Sequence, residues 1–468
     1  MHILSKSTYI KGLQCPKALY MTKKHPYLRD KLSIEQRAKF QRGTDVGILA
    51  HEYFPGGIDM TPNSPTQFPR RVQETMANLS NPEVNVMYEA VFQYNDTLIM
   101  LDMLVRDGDR WLAVEVKSSM RLSDTYYNDA ALQYYVLHGS QVPLSDFRLM
   151  YLNGDYTKDG PIDVKQLFKM ESVMDYVKER ESFVAQNVER LKGVVGQEHA
   201  PLINIGTQCH NPYTCDFLGH CWKLIPKNSF LFTNAIDDEK LFECYFNGIN
   251  SNEKLLAQID SQSLEAHQIE ALETNSFYID YKSLFALAPQ PKPKTVAFLN
   301  LLLYRPAVPE MNGTKPYEEM ILAFALKGDN EPNGVTLWDC FDDHSRWREA
   351  ISLLIEKLAH YELIVCFTPQ NLTTTLLRHE IIQNREIGHK IFNLFDVLQQ
   401  ASFFHAKIKS GFTLQHLSEA ITGEPKLFEH SRIIVEALSN DLLGYQQAKD
   451  DLIDENEEVA FIYNKFFK

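Results

Sequence analysis

Between residues 86 and 117 three largely apolar runs, at about 86–94, 97–105 and 110–117, read as strands, each holding an isolated acid or two. Asn95-Asp96 and Asp107-Gly108 interrupt the runs, so the pattern predicts a three-stranded antiparallel meander with two tight turns. Helical spacing follows at Asp124–His138, and again over a longer stretch from about Val164 to Leu191. Upstream, Ser33-Ile34-Glu35-Gln36 has the Ser-x-x-Gln form of a capping box. It opens a predicted helix that carries His51 near its end and stops at Pro55-Gly56-Gly57. Residues 1–225 thus read as one α/β unit, and 226–290 as a helical connector. Pro289-Gln290-Pro291-Lys292-Pro293 marks a boundary before a second α/β domain, 291–468. That domain begins with the apolar strand Val296–Tyr304; a second strand, Leu363–Phe367, follows a helical segment, and helices end the chain. There is no internal repeat.

The strand pattern has a chemical consequence. A turn centred between Asn95 and Asp96 puts Glu89 opposite Asp102, and one centred between Asp107 and Gly108 puts Asp102 opposite Ala113. Side chains alternate, so Glu115 and Lys117 share the face of Asp102 and Glu89. Leu98-Ile99-Met100-Leu101 and Leu112-Ala113-Val114 read as central strands, where an uncompensated carboxylate is costly to bury. A divalent cation such as Mg²⁺ relieves that cost; an outward polar face with cross-strand salt bridges is the plain alternative.

Composition narrows the classes. Hydrophobic residues are 44% and charged residues 23% of 468, enough for two or three cores. No apolar run is long enough to span a bilayer and no secretory h-region opens the sequence, so a cytoplasmic protein without membrane contact is expected. The net charge of −14 argues against coating nucleic acid with the whole surface. Residues 1–45 nevertheless carry ten Lys/Arg against three acids, a local basic region suited to gripping one strand or end. Asp450–Glu458 is strongly acidic.

Of seven cysteines, Cys15 stands far upstream in Leu13-Gln14-Cys15-Pro16-Lys17. Cys209, Cys215 and Cys221 follow the meander with five residues between neighbours. In a reducing compartment these are thiols or metal ligands before they are disulfides. Four thiolates serve zinc and iron–sulfur clusters alike, so spacing leaves the metal open. Cys244, Cys340 and Cys366 stand apart and read as buried small hydrophobes.

Asp102, then Glu115-Val116-Lys117 thirteen positions on, resembles the PD-(D/E)XK nuclease signature of the RecB type. Gln133, in Asp129-Ala130-Ala131-Leu132-Gln133-Tyr134-Tyr135, matches that family's helix-borne glutamine. The resemblance implies a restriction-endonuclease-like fold and a Mg²⁺- or Mn²⁺-dependent deoxyribonuclease acting on single strands or ends, an exonuclease before an endonuclease. His51, Asp102, Glu115 and the Val116 carbonyl would hold the metal, Lys117 would orient the attacking water, and Glu89 and Gln133 would support the site. One cysteine upstream and three downstream resemble the iron staple of AddB and the CRISPR adaptation exonucleases. This implies a 4Fe-4S cluster on Cys15, Cys209, Cys215 and Cys221, with zinc as the alternative. The five-residue first gap departs from the usual Cys-x₂-Cys of those relatives.

The opening, Leu4-Ser5-Lys6-Ser7 through Gly12-Leu13-Gln14-Cys15-Pro16-Lys17, resembles an uncharacterised bacterial family. That family joins a RecB-like nuclease to an RNase H-like domain of the DEDD exonuclease kind. Its second domain opens with an Asp-x-Glu strand; here Asn300 and Leu302 stand in those places, with Asp396 as a surviving third acid. The implication is a second domain that is catalytically inactive and binds nucleic acid or a protein partner. DNA repair, CRISPR adaptation and phage defence are the settings implied. The competing class is a non-catalytic nucleic-acid-binding or complex-forming subunit stapled by the cluster.

Overall fold

The computed structural model describes residues 3–32, 34–329, 334–368, 385–424, 426, 433, 434, 438 and 441–468. The protein is mixed α/β, with two mixed sheets in two compact units. The first unit comprises Met1–Leu224 and Pro306–Glu318; the second comprises Ile225–Arg305 and Glu319–Lys468. The helices that follow residue 225 and the proline-rich stretch at 289–293 therefore lie inside the second unit. Among the described residues no helix is long and apolar enough to cross a membrane.

In the first unit, β1 (Leu4–Ser5), α1 (Lys6–Gln14), α2 (Pro16–Lys24), α3 (Ile34–Ala50), β2 (Ile58–Asp59) and α4 (Phe68–Leu79) precede the meander. The meander is β3 (Val86–Tyr94), β4 (Thr97–Asp107) and β5 (Arg110–Lys117). Then come α5 (Asp124–Gly139), β6 (Leu144–Leu152), α6 (Val164–Leu167), β7 (Phe168–Ser172), α7 (Met174–Gly196) and α8 (Leu218–Trp222). The seven-stranded sheet runs β2-β3-β4-β5-β6-β7, with β1 beside β4. β5 and β6 are parallel and joined through α5, as a parallel pair requires a crossover. One face is covered by α5 and α7, in a core with Leu101, Leu104, Ala113, Phe147, Val136 and Val188. Met103, Val114 and Met150 lie in a second core that includes Val46 and Ala50 of α3.

Asn95 and Asp96 both take positive φ (46° and 55°), the geometry that matches a two-residue hairpin to strand twist. The register follows the expectation on either side of Glu89, with Ala90 on Leu101 and Tyr88 on Met103. The second turn differs. It is Gly108-Asp109, with φ +61° at Gly108, so Asp107 pairs with Arg110 and Leu104 with Ala113. Ala113 therefore pairs with Leu104 and not with Asp102, and the ladder ends at Met103 on Val114. Glycine at the first turn position is the physical reason, since it enters the left-handed region freely. The helix expected from Val164 to Leu191 is divided. Phe168 and Met170 alternate with Lys169 and Glu171, and this stretch pairs with β6 as β7. Ser33 lies outside the described residues; α3 runs to Ala50, and His51–Tyr53 forms a short 3₁₀ turn.

Residues 306–318 leave the second unit and complete the first. Ala307 is buried beside Met103 and Val114 in the second core. Lys158 and this segment exchange backbone bonds, Lys158 N–H to Thr314 O (2.9 Å) and Gly313 N–H to Lys158 O (2.8 Å). The Tyr317 hydroxyl donates to the carbonyl of Ser118, next in sequence to Lys117.

In the second unit β8 (Val296–Tyr304), β9 (Met320–Gly328), β10 (Thr336–Asp339), β11 (Leu363–Cys366) and β12 (Ile391–Asn393) form a sheet of order β10-β9-β8-β11-β12. β8, β9 and β10 are antiparallel, and β11 is parallel to both β8 and β12. The helix Leu442–Phe467 packs on this sheet through Val459, Ile462 and Tyr463. Its Asn456 amide donates to Phe298 O (2.8 Å) and Ala325 O (2.9 Å), tying the helix to two strands.

Candidate active site

The meander, α1 and α5 bring a charged group together in the first unit. β5 supplies Glu115 and Lys117, β4 supplies Asp102 and β3 supplies Glu89. α5 presents Asp129 and, one turn on, Gln133. Glu115 is 1% exposed, Asp129 6% and Gln133 0%. Lys117 Nζ lies 2.6 Å from Glu115 Oε1 and also donates to Asp129 Oδ2. Lys6 Nζ, from α1, lies 2.6 Å from the same Glu115 Oε1. Asp102 Oδ2 accepts from the Val116 amide at 2.5 Å. The Val116 amide is therefore the atom of that residue that the structure ties to the site.

Glu89 departs from the strand. Its φ is +51°, in the left-handed region. Met87 and Ala90, three apart, share one core, as do Leu101 and Leu104 opposite, while Tyr88 and Met103 lie in the other. The alternation thus skips a residue on both strands, at Glu89 and at Asp102. Such local strain persists where surrounding structure over-determines it, and it collects at functional sites.

The electrostatics follow from burial and proximity. Burial pushes the Asp102 carboxyl well above its usual range, and the charge of Glu115 adds to that. Glu89 rises for the same two reasons. Burial would also raise Glu115, but the ammonium groups of Lys117 and Lys6 outweigh it and hold this carboxyl well below its ordinary range. Burial would lower Lys117, but Glu115 and Asp129 raise it above the usual lysine value. Neighbouring acids are thus pushed in opposite directions by burial and by the two ammonium groups.

Several polar atoms here are buried and find no hydrogen-bond partner among the described residues: Glu115 Oε2, Asp129 Oδ1, and both Oε1 and Nε2 of Gln133. Each such atom costs on the order of 1–3 kcal/mol unless a water, ion or ligand meets it. Among the described residues no three His, Cys, Asp or Glu side chains already stand as a ready-made metal-ligand group. The carboxylates bond instead to Lys6, Lys117 and the Val116 amide. The donor set nevertheless fits a hard divalent cation: all oxygen, acidic, beside a buried carboxylate oxygen without a partner.

His51 begins the short 3₁₀ turn that follows α3. Its ring stacks on Tyr88 with centroids 3.9 Å apart, and the Tyr88 hydroxyl donates to the carbonyls of His51 (3.2 Å) and Phe54 (2.6 Å). Burial lowers the His51 pKa, and Asp59 of β2 opposes the shift. Asp59 also acts on Glu89, so β2 links His51 to the carboxylate group. Tyr126 lies under Lys117 Nζ, 5.2 Å from ring centre to nitrogen; Tyr134 and Tyr135 are buried and Tyr127 packs against the same core.

Sequence reasoning missed Lys6, Asp59 and Asp129 as members of this site. Asp129 was within reach, since it stands four residues before Gln133 on one helix. Lys6 had a fainter signal in Ser5 and Thr8, which form the reciprocal capping box of α1 and so fix the residue between them.

The four cysteines line a single pocket with Ala18 and Phe217. Cys15 stands at the α1–α2 junction, where Pro16 opens α2. Gln14 Nε2 donates to Gln208 O (2.8 Å) and Tyr213 O (2.6 Å), and Lys11 pairs with Asp216, so side chains of α1 hold the downstream loop. Burial and the charges of Cys15, Cys209 and Cys221 push the Cys215 thiol up to about 11. The chemistry of four sulfur donors suits a cluster or zinc, although among the described residues they do not stand as a ready-made ligand group. His210 packs edge-on to Trp222, and His220 lies beside Lys223 and Lys17. Cys340 and Cys366 are buried and Cys244 half-buried, in the second unit.

In that unit Asn300 is buried, and its Nδ2 donates to Glu455 Oε2 at 2.7 Å; Leu302 is fully buried. Asp396 accepts from Asn393 Nδ2 at 2.8 Å and lies close enough to raise the Cys366 thiol, after burial itself. Asp451, Glu455 and Glu458 are buried along one helix, at the spacing of a single face. Their burial was not read from the acidic run of the sequence. No family model matches this chain, and none of the curated proteins compared with it does.

Proposed function

We propose that the first unit is a Mg²⁺- or Mn²⁺-dependent deoxyribonuclease with a PD-(D/E)XK-type fold, acting on single strands or ends. The observation that carries the reading is the buried, partner-free Glu115 Oε2 among Asp102, Glu89, Lys117 and Gln133. Parallel β5 and β6 joined through α5, with the acids and lysine on β4 and β5, support the fold assignment. Asp102 and Glu115 would hold the cation, with His51 and the Val116 carbonyl as further ligands on resemblance. A bound cation would supply Lewis acidity and a more acidic attacking water. Lys117 would orient the attacking water and counter charge developing on the scissile phosphate. Asp129 positions Lys117 from α5, and Gln133 would support the site on resemblance. Cys15, Cys209, Cys215 and Cys221 would hold a 4Fe-4S cluster, or zinc, that staples the two ends of this unit.

For the second unit we read an RNase H-like domain without catalytic metal, used to bind nucleic acid or a protein partner. Its order β10-β9-β8-β11-β12 supports the fold, and Asn300 with Leu302 supports the loss of the site. The full protein should degrade DNA in Mn²⁺ and stop in excess chelator. Degradation that persists in chelator removes the reading. A folded, cluster-bearing protein that binds DNA without cutting it would favour the non-catalytic subunit instead.

A further inference from the structure

Lys6 is fixed in place from both sides. Leu4 and Ser5 pair in parallel with Thr97 and Leu98, and the Leu4 amide donates to Asp96 O at 2.8 Å. Ser5 then caps α1 with Thr8, so Lys6 leaves the first turn of a helix anchored to the sheet. Its Nζ lies 2.6 Å from Glu115 Oε1 and 3.6 Å from Asp129 Oδ2. Lys117 occupies the same Glu115 oxygen at 2.6 Å and the same Asp129 oxygen. Two ammonium groups therefore share Oε1, while Oε2 of that carboxylate is buried without a partner among the described residues.

The formal charges can be counted. When fully ionised, as a bound cation requires, Glu89, Asp102, Glu115 and Asp129 contribute four negative charges, and Lys6 and Lys117 two positive ones. The balance equals that of one divalent cation. Lys117 is enclosed, with a side chain 12% exposed, whereas that of Lys6 is 33% exposed. Resting on the nuclease reading of this site, we propose that Lys6 is a positioning residue acting through Glu115. Its ammonium neutralises one carboxylate of the cluster and leaves the charge of a single divalent cation. A cluster without it attracts cations more strongly than one ion can neutralise.

The test is Mn²⁺ titration of the full-length protein by calorimetry, with circular dichroism as the check on folding. Wild type should take up one Mn²⁺ in this unit. Lys6→Met keeps most of the apolar stem and removes the charge; its Mn²⁺ affinity should rise at least about tenfold. Lys6→Arg keeps the charge and should bind like wild type. If Lys6→Met does not fold, Lys6→Gln gives the same readout. Folded neutral variants that bind Mn²⁺ as wild type does, or more weakly, overturn the role of Lys6 alone. A wild type that binds no Mn²⁺ overturns the nuclease reading and this inference together.

Discussion

Asp102 and Glu115 differ in how tightly each holds a proton. Burial and the Glu115 charge raise Asp102, so its ionised form is the one the fold resists. A cation that uses this carboxylate must displace the proton, so Mn²⁺ should bind more weakly at about pH 5.5 than at about pH 7.5. Calorimetry at the two values checks this, and Asp102→Asn should flatten the difference. Stability without metal runs the opposite way with pH. A group raised in the folded state contributes stability below its unfolded pKa and loses it as pH rises through the folded one. Without metal, Asp102→Asn should therefore melt above wild type at neutral pH, and the gap should close as pH falls below the ordinary carboxylate range. Asp102→Ala, Glu115→Ala and Lys117→Ala should each lower metal-dependent cleavage by about 10²-fold or more while the circular dichroism stays native. Any one of them cutting at the wild-type rate would remove that residue from the site.

At the scale of elements, the first hairpin was legible because Asn95-Asp96 splits two apolar runs and sets their register without help from the rest of the chain. Three features were not. The Gly108-Asp109 turn and its neighbour Asp107-Gly108 offer the same residues to a turn, and only the ladder decides between them. β7 was hidden because Phe168 to Ser172 has too few residues to outweigh the helical spacing around it. The left-handed Glu89 leaves no trace in composition, since glutamate is no turn former. That last point can be measured. Glu89→Ala removes the carboxylate and keeps the strained backbone, whereas Glu89→Gly also relieves the strain. The glycine variant should be more stable by about 1 kcal/mol in denaturant unfolding. In the cysteine segments, Cys15→Ser, Cys209→Ser, Cys215→Ser and Cys221→Ser should each lower the melting temperature of anaerobically purified protein, because ligand binding contributes to folding. Iron and sulfide analysis would separate a cluster from zinc, and four variants as stable as wild type would leave the pocket without a metal.

For the whole molecule, residual cleavage by the second unit is expected to be absent. In the Asp102→Ala background, full-length protein in Mn²⁺ should leave single-stranded DNA intact; activity abolished by Asp396→Ala would show a working second site. The segment 306–318 bears on how the molecule is made. It belongs to the first unit, yet it follows β8 in the chain. A ribosome must therefore translate well past the start of the second sheet before the first unit can close over Ala307 and Tyr317. A gene cut after codon 224 would encode a unit with part of its apolar core uncovered, and its product should melt lower and aggregate more readily than the same unit in the full chain.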